Sequence, residues 1–150
     1  MTDQFVVFTL GEQRYALRLS AVDRVVLMVQ ITMLRKAPDV VLGVVNVQGR
    51  VLPVISLRRR FRLPERELGL NDQLVVAHTA RRAVALAVDA VTGVVECSER
   101  ELVAPQSIVS AAENLAGIIK REDGLILVHD LDAFLSREEE NFLDQALEAL

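Results

Sequence analysis

QFVVFTLGEQRYALRLSAVDRVV, residues 4–26, lies over QLVVAHTARRAVALAVDAVTGVV, residues 73–95, without a gap at an offset of 69. Nine of the 23 positions are identical, among them Gln4/Gln73, Val6/Val75, Val7/Val76, Leu17/Leu86 and Val25/Val94. A second stretch repeats at an offset of 74, where Gly43, Val54 and Leu57 match Gly117, Val128 and Leu131. The chain therefore reads as two fused copies of one small β-rich unit. A duplicated small barrel offers a cleft and two outer faces, a shape suited to joining partners.

Within each copy the pattern is that of short strands. Phe5–Leu10 and Tyr15–Leu19 flank Gly11-Glu12 and read as a hairpin, and Val22–Val29 reads as a third strand. Ala37–Val41 reads as a short helical turn with Pro38 at its first position. Gly43–Val47 and Arg50–Leu57 flank Gln48-Gly49, where a glycine supplies the positive φ of a tight turn. Pro53 cannot donate a ladder hydrogen bond, which predicts an edge or a bulge there. Pro64, Gly69 and Asn71 mark 63–72 as a linker. The second copy repeats these strands near 73–78, 83–88 and 91–96. A polar stretch with Pro105 follows, and then a hairpin at 116–120 and 124–129. Ser136 and Glu139 form a capping-box pattern, and Phe142, Leu143, Ala146, Leu147 and Leu150 follow at helical spacing. A C-terminal amphipathic helix over 136–150 is predicted, its apolar stripe covering one lobe.

At 51% hydrophobic and 4% aromatic, with no Trp, the core must be built from Val, Leu, Ile and Ala. Each half is near the lower size limit for an independent core, so the halves are expected to pack together and unfold together. The net charge of −4 is divided unevenly, +4 over residues 1–72 and −8 over 73–150. Such asymmetry orients partners or the lobes themselves. The single cysteine, Cys97, excludes an internal disulfide and fits a reducing cytoplasm. Neither a signal peptide nor an apolar run of membrane-spanning length is visible, so no membrane insertion is expected.

The residues of catalysis are sparse. His78 and His129 lack neighbours at metal-ligand spacing and read as structural or surface residues. Cys97 reads as a small buried group. Asp130 and Asp132 read as caps of a short helix over 131–135. No phosphate-binding glycine loop is present. The cluster Arg58, Arg59, Arg60 and Arg62 lacks interleaved aromatics beyond Phe61 and stands in an acidic chain, so nucleic acid is not expected as a partner. A solvated face or an acidic partner suits it better. No catalytic residue, metal or cofactor is assigned.

GVVNVQGRVLPVISLRRRF, residues 43–61, resembles the signature of CheW-domain proteins, as do the opening FTLGEQRYALRLSAVDRVV and AVALAVDAVTGVVE of the second copy. The resemblance runs from about residue 4 to the tail. It implies a mainly β fold: one domain of two SH3-like five-stranded barrels packed together, with short helices and the C-terminal helix. The subdomains are expected at 14–72 and 73–135, with exchange of the N-terminal strand allowed. The function implied is a cytoplasmic, non-catalytic adaptor, monomeric when free. It couples the cytoplasmic hairpin tip of chemoreceptors to the regulatory domain of a CheA-like sensor histidine kinase.

Carried onto this chain, the kinase-facing surface includes Val22, Arg24 and Gly43, and the receptor-facing groove includes Gln48, Leu74, Val75 and Val94. Three positions depart from the family pattern. Gln48 stands for its turn arginine, Arg24 for a frequently acidic residue, and Ser56 for its aspartate. These changes point to weakened coupling or to a dedicated partner, for instance in a non-flagellar pathway. The alternatives carried forward are a small-molecule-binding barrel that uses the interlobe groove, and a detached regulatory domain of the kinase.

Overall fold

The computed structural model describes residues 2–98, 100–103 and 115–150, and the stretch around Pro105 lies outside them. Eleven strands are described: β1 (Thr2–Leu10), β2 (Gln13–Arg18), β3 (Val22–Leu27), β4 (Val41–Val47), β5 (Arg50–Ser56), β6 (Gln73–His78), β7 (Ala83–Val88), β8 (Ala90–Ser98), β9 (Leu102–Val103), β10 (Leu115–Arg121) and β11 (Gly124–His129). Two α-helices accompany them, α1 (Leu57–Arg60) and α2 (Arg137–Glu148), with single 3-10 turns at Leu19–Ala21 and Leu131–Ala133. Among the described residues no helix is long and apolar enough to cross a membrane.

The strands form two sheets, in the orders β3-β6-β7-β5-β4 and β8-β1-β2-β11-β10-β9. Replacing each strand by its repeat-equivalent turns the first order into the second, with β9 added at the end. The correspondence reaches single residues. Val6 pairs with Leu17 in β1/β2, and Val75 pairs with Leu86 in β6/β7. Val25 pairs with Val75 in β3/β6, and Val94 pairs with Val6 in β8/β1. The parallel pairs Val54/Ala85 and Val128/Ala16 correspond in the same way. Even the bulges recur, in β3/β6 and β8/β1.

The hydrogen-bonded sheets therefore do not divide at residue 72. The first hairpin of each copy joins the remaining strands of the other, so β6 and β7 complete the sheet of β3–β5, and β1 and β2 that of β8–β11. Each copy thus lends its first hairpin to the sheet of the other.

Three apolar clusters result. One lies inside the first barrel, with Val45, Leu52, Val54, Leu74, Val76 and Ala85, and one inside the second, with Phe5, Val7, Ala16, Ile119, Ile126 and Val128. The third lies between the barrels and draws on both. It contains the repeat-equivalent pairs Phe8/Ala77, Tyr15/Val84, Leu17/Leu86 and Leu57/Leu131. Strands β1, β2, β6 and β7 are thus covered on both faces, which is why they read as nearly continuous apolar runs.

Pro53 lies in neither an edge strand nor a bulge, since β5 is flanked by β4 and β7. Its partner Val44 turns both backbone groups away from β5 to exchange hydrogen bonds with Thr32, at 2.8 Å each. Val44/Pro53 is therefore a non-hydrogen-bonded pair, and the missing N–H costs nothing on that side. On the other side the pairing with β7 starts one residue later, at Val54. Residues 37–41 form a turn, closed by the Val41 N–H donating to the Pro38 carbonyl, and no helix.

Polar contacts tie the parts together. The Gly11 N–H of the β1/β2 turn donates to Asp89 at 2.7 Å, and Arg58 and Arg66 reach the same carboxylate at 2.8 and 2.6 Å. Arg66 also holds Asp72 at 2.7 Å, which fastens the linker between the copies. Burial raises the Asp89 pKa, but Arg66, the Gly11 N–H and Arg58 outweigh it and hold the carboxyl below the usual carboxylate range. Helix α2 carries the expected capping box, Ser136 accepting from the Glu139 N–H and Glu139 accepting from the Ser136 N–H. It buries Leu143 in the central core, and Arg60, Arg81 and Arg82 pair with its Glu139, Glu140 and Asp144.

Two outcomes follow from this packing. Leu143→Ala leaves a cavity in the central core and is expected to cost about 2–5 kcal/mol in urea unfolding, against about 1 kcal/mol for Ser136→Ala. Asp89 has a folded pKa below its unfolded value, so its contribution is full above the unfolded value and is lost as pH falls through the folded one. Asp89→Asn is therefore expected to lower the thermal midpoint at neutral pH and to flatten its decline in acid. An unchanged acid limb contradicts that role.

Candidate functional site

The β4/β5 turn is two residues long, Gln48-Gly49, with φ of 50° and 87°. Positive φ at both positions is what a type I′ hairpin requires. The Asn46 side chain accepts from the Gly49 N–H at 2.8 Å and steadies it. Gln48 is exposed at the tip, and its side-chain oxygen accepts a hydrogen bond from Arg24 of β3. Two of the three departures from the family pattern thus touch each other. Arg24 and Gln48, expected on different partner faces, form one polar unit at this end of the first barrel.

Beyond β3 the chain runs as a strap along the free edge of β4. The Met28 N–H donates to the Asp72 carbonyl at 2.9 Å, and Thr32 pairs with Val44. Gly43 is buried beneath this strap with φ of 151°. A Cβ at Gly43 would overlap the Thr32 carbonyl oxygen and crowd Ile31. Gly43 thus offers no side chain to a partner; it sets how closely the strap lies on the barrel. Val22 is half-buried and packs on the central core.

The receptor-facing expectations separate into two groups. Leu74 and Val75 have no exposed surface, one inside the first barrel and the other in the central core. That corrects their reading as groove-lining side chains: β6 is covered on both faces, and these residues can only support what lies above them. Val94, in contrast, is 52% exposed on β8. Its repeat-equivalent Val25 is 37% exposed on β3. Each is the outward neighbour of a strand at the junction, Val25 beside Val75 of β6 and Val94 beside Val6 of β1, and β6 packs against β8 there.

The fold also builds two clefts at repeat-equivalent places, the first walled by β4, β5, β7, α1 and the linker. One, of about 340 Å³, has Leu42, Ser56, Arg58, Ala87 and Asp89 in its lining; the other, of about 440 Å³, has Ala116, Asp130, Asp132, Arg18 and Ser20 at the equivalent places. Both linings are mixed, with Leu42, Leu68 and Val88 in the first and Leu17 and Leu131 in the second standing beside charged groups. Their charges are largely engaged already, Arg58 and Arg66 by Asp89 and Arg18 by Asp3, while His78 hydrogen-bonds with Asp23. Asp130 caps the turn over Leu131–Ala133, and Asp132 accepts the Ala80 N–H at 2.8 Å. A small ligand in the first cleft would have to displace its ion pairs.

The remaining candidates are structural. Arg58, Arg59 and Arg60 pair with Asp89, Glu65 and Glu139, which leaves Arg62 exposed at positive φ. His129 lies within a stack of Tyr15, Phe61 and Phe134, at the place Ile55 occupies in the first copy. Cys97 is buried in the second barrel, and burial pushes its thiol pKa up. Among the described residues no group of three or more His, Cys, Asp or Glu could hold a metal ion.

Known proteins resemble the chain over nearly its whole length. The family model described as CheW-like domain matches residues 4–139. Chemotaxis protein CheW of Klebsiella aerogenes is 29% identical over 94% of this chain and 86% of its own. Its namesake in Rhizobium meliloti is 29% identical over 91% and 89%. Protein FrzA of Myxococcus xanthus is 27% identical over 78% and 74%. The crystal structure of the scaffolding protein TtCheW from Thermoanaerobacter tengcongensis superimposes with a TM-score of 0.84 at 28% identity, covering 93% of this chain and 96% of that one. With its duplicated barrels and its signature hairpin, the chain belongs to the CheW-like domain family.

Proposed function

We propose that the protein is a non-catalytic adaptor of chemosensory signalling that couples chemoreceptors to a CheA-like histidine kinase. The observation that carries the reading is the pair of half-open valines, Val25 and Val94, beside the junction of the two barrels. Strand valines elsewhere are mostly spent on the cores, whereas these leave aliphatic surface open over a rigid, fully packed floor that includes Leu74 and Val75. Such a floor suits an apolar stripe of a helical hairpin, here the receptor tip. Gln48 lies on the receptor side of this reading, and Val22, Arg24 and the strap seated on Gly43 on the kinase side. The similar crystal structure is that of a scaffolding protein, which agrees with this reading.

The test uses the kinase regulatory domain and a receptor cytoplasmic fragment from the same cell. Binding of each at tens of micromolar or tighter is expected, and binding of neither contradicts the adaptor reading. Val94→Asp places a charge on the proposed receptor stripe. It is expected to weaken receptor binding by about tenfold or more, with kinase binding unchanged. Gln48→Arg would set two guanidinium groups side by side at the turn, next to Arg24. No gain in receptor affinity is expected from it, as for a partner adapted to the present pair; a gain would show that the turn has merely lost a contact.

A further inference from the structure

The two clefts differ in charge at matching places. In the first, Arg58, Arg59 and Arg66 stand with Asp89, Glu65 and Glu67, three cations against three carboxylates. In the second, Asp130 and Asp132 stand with Arg18 as the one arginine or lysine in the described lining. Arg18 does not neutralise them: its guanidinium lies over the Phe5 ring and pairs with Asp3 at 2.7 Å. Arg81, which shares a smaller cavity with Asp132, is spent on Glu140 and Asp144. Among the described residues no lysine or arginine lies within ion-pair distance of Asp130 or Asp132.

The internal repeat shows what the second cleft lacks. In the first cleft the Asp89 carboxylate takes the Gly11 N–H, and one Nη of Arg58 reaches both its oxygens, at 2.8 and 3.1 Å. In the second, Ala80 stands at the place of Gly11, Ser20 at that of Asp89 and Asp132 at that of Arg58. The Ala80 N–H is now taken by Asp132, at 2.8 Å. The carboxylate has thus moved to the place of the guanidinium, and the guanidinium has no successor. Asp130 adds a second carboxylate at the place of Ser56. Each of the two aspartates caps a backbone N–H through Oδ1, which leaves Oδ2 of each to accept from a further donor. Leu17, Ala21 and Leu131 line the same cavity of about 440 Å³.

We propose that the second cleft binds an arginine side chain of a docked polypeptide, with the guanidinium at Asp130 and Asp132 and the aliphatic stem against Leu17 and Leu131. The chain supplies this cation to its first cleft from its own sequence, and a partner supplies it to the second. The planar fork of a guanidinium matches carboxylates that keep acceptors free, and its stem covers apolar surface. A divalent metal ion needs more oxygen ligands than two aspartates give. Among the described residues no group of three or more His, Cys, Asp or Glu could hold one. None of the residues assigned to receptor or kinase lines this cleft, so the site stands apart from the adaptor reading.

Heteronuclear NMR titration of the full chain with N-acetyl-arginine amide tests this, the blocked arginine standing for a side chain within a polypeptide. Saturable shifts of the Ala80 and Asp132 amides are expected, with a Kd on the order of 1 mM. Asp130→Asn/Asp132→Asn keeps both capping oxygens and is expected to weaken binding at least about tenfold. Ser20→Asp/Asp132→Arg writes the arrangement of the first cleft into the second and is expected to abolish binding, with thermal melts confirming that both variants are folded. The uncharged N-acetyl-citrulline amide is expected to leave the two amides unmoved. Absence of a saturable shift overturns the proposal, and so does equal binding of the citrulline analogue. Binding by Asp130→Asn/Asp132→Asn within about twofold of the wild type overturns it as well. Tighter binding of Ca²⁺ than of blocked arginine makes the occupant a metal ion, and tighter binding of free arginine makes it the amino acid; either result overturns the assigned ligand. All of these outcomes leave the adaptor reading standing.

Discussion

The contact on which the structure depends is the apolar layer between the two barrels, where Leu17 meets the surroundings of Leu86 and Phe8 those of Ala77. A barrel of five short strands built on about 70 residues has little core of its own. This chain answers that limit by giving each barrel a hairpin from the other copy. The exchanged hairpins β1/β2 and β6/β7 lie against each other's barrel with both faces covered, so each contributes to a barrel interior and to the shared layer. Neither barrel can be completed without the other half of the chain. The repeat in the sequence is thus a repeat of pattern, while the unit of stability is the pair.

Charge is distributed according to the same division of labour. Arginines on α1, in the linker and in the β6/β7 turn are spent inside the molecule, on Asp89, Asp72 and the acidic face of α2. Removing one partner of such a buried or half-buried pair leaves the other charge uncompensated. The cations of the β3–β4 edge have no such duty. The basic balance of residues 1–72 is therefore partly scaffolding and partly surface, a distinction that only coordinates reveal.

Much of the architecture was legible in residues alone. The hairpins, the Gln48-Gly49 turn and the Ser136/Glu139 cap are local, and each depends on a few neighbouring side chains. The exchange was allowed for the N-terminal strand by resemblance but was not legible in the residues as a reciprocal one, because two copies with the same pattern offer each strand two equivalent partners, and pairing within a copy looks as good as pairing across. Leu74 and Val75 misled for a related reason. A strand covered on both faces shows no alternation to tell an outward position from an inward one, so the role implied for them by resemblance met no objection. Pro53 misled because the backbone orientation that excuses it is set by Thr32, 21 positions away. The Arg24–Gln48 contact was invisible as a contact, although both residues stood out singly.

Function in such a molecule is a matter of which surface the fold leaves open. The cores take most of the large aliphatic side chains, the clefts carry ion pairs of their own, and, apart from single residues such as Leu70, Leu125 and Leu150, aliphatic surface among the described residues remains at the barrel junction and along the β3–β4 edge. Both are presented by strands whose rigidity comes from the shared layer. Native-state hydrogen exchange tests that dependence most directly. The account predicts that amides of β1/β2 and β6/β7 open only with global unfolding, at one common free energy that moves equally in both hairpins when Leu143→Ala weakens the layer. Exchange of one sheet through a separate, lower-energy opening, with the other left protected, would contradict it.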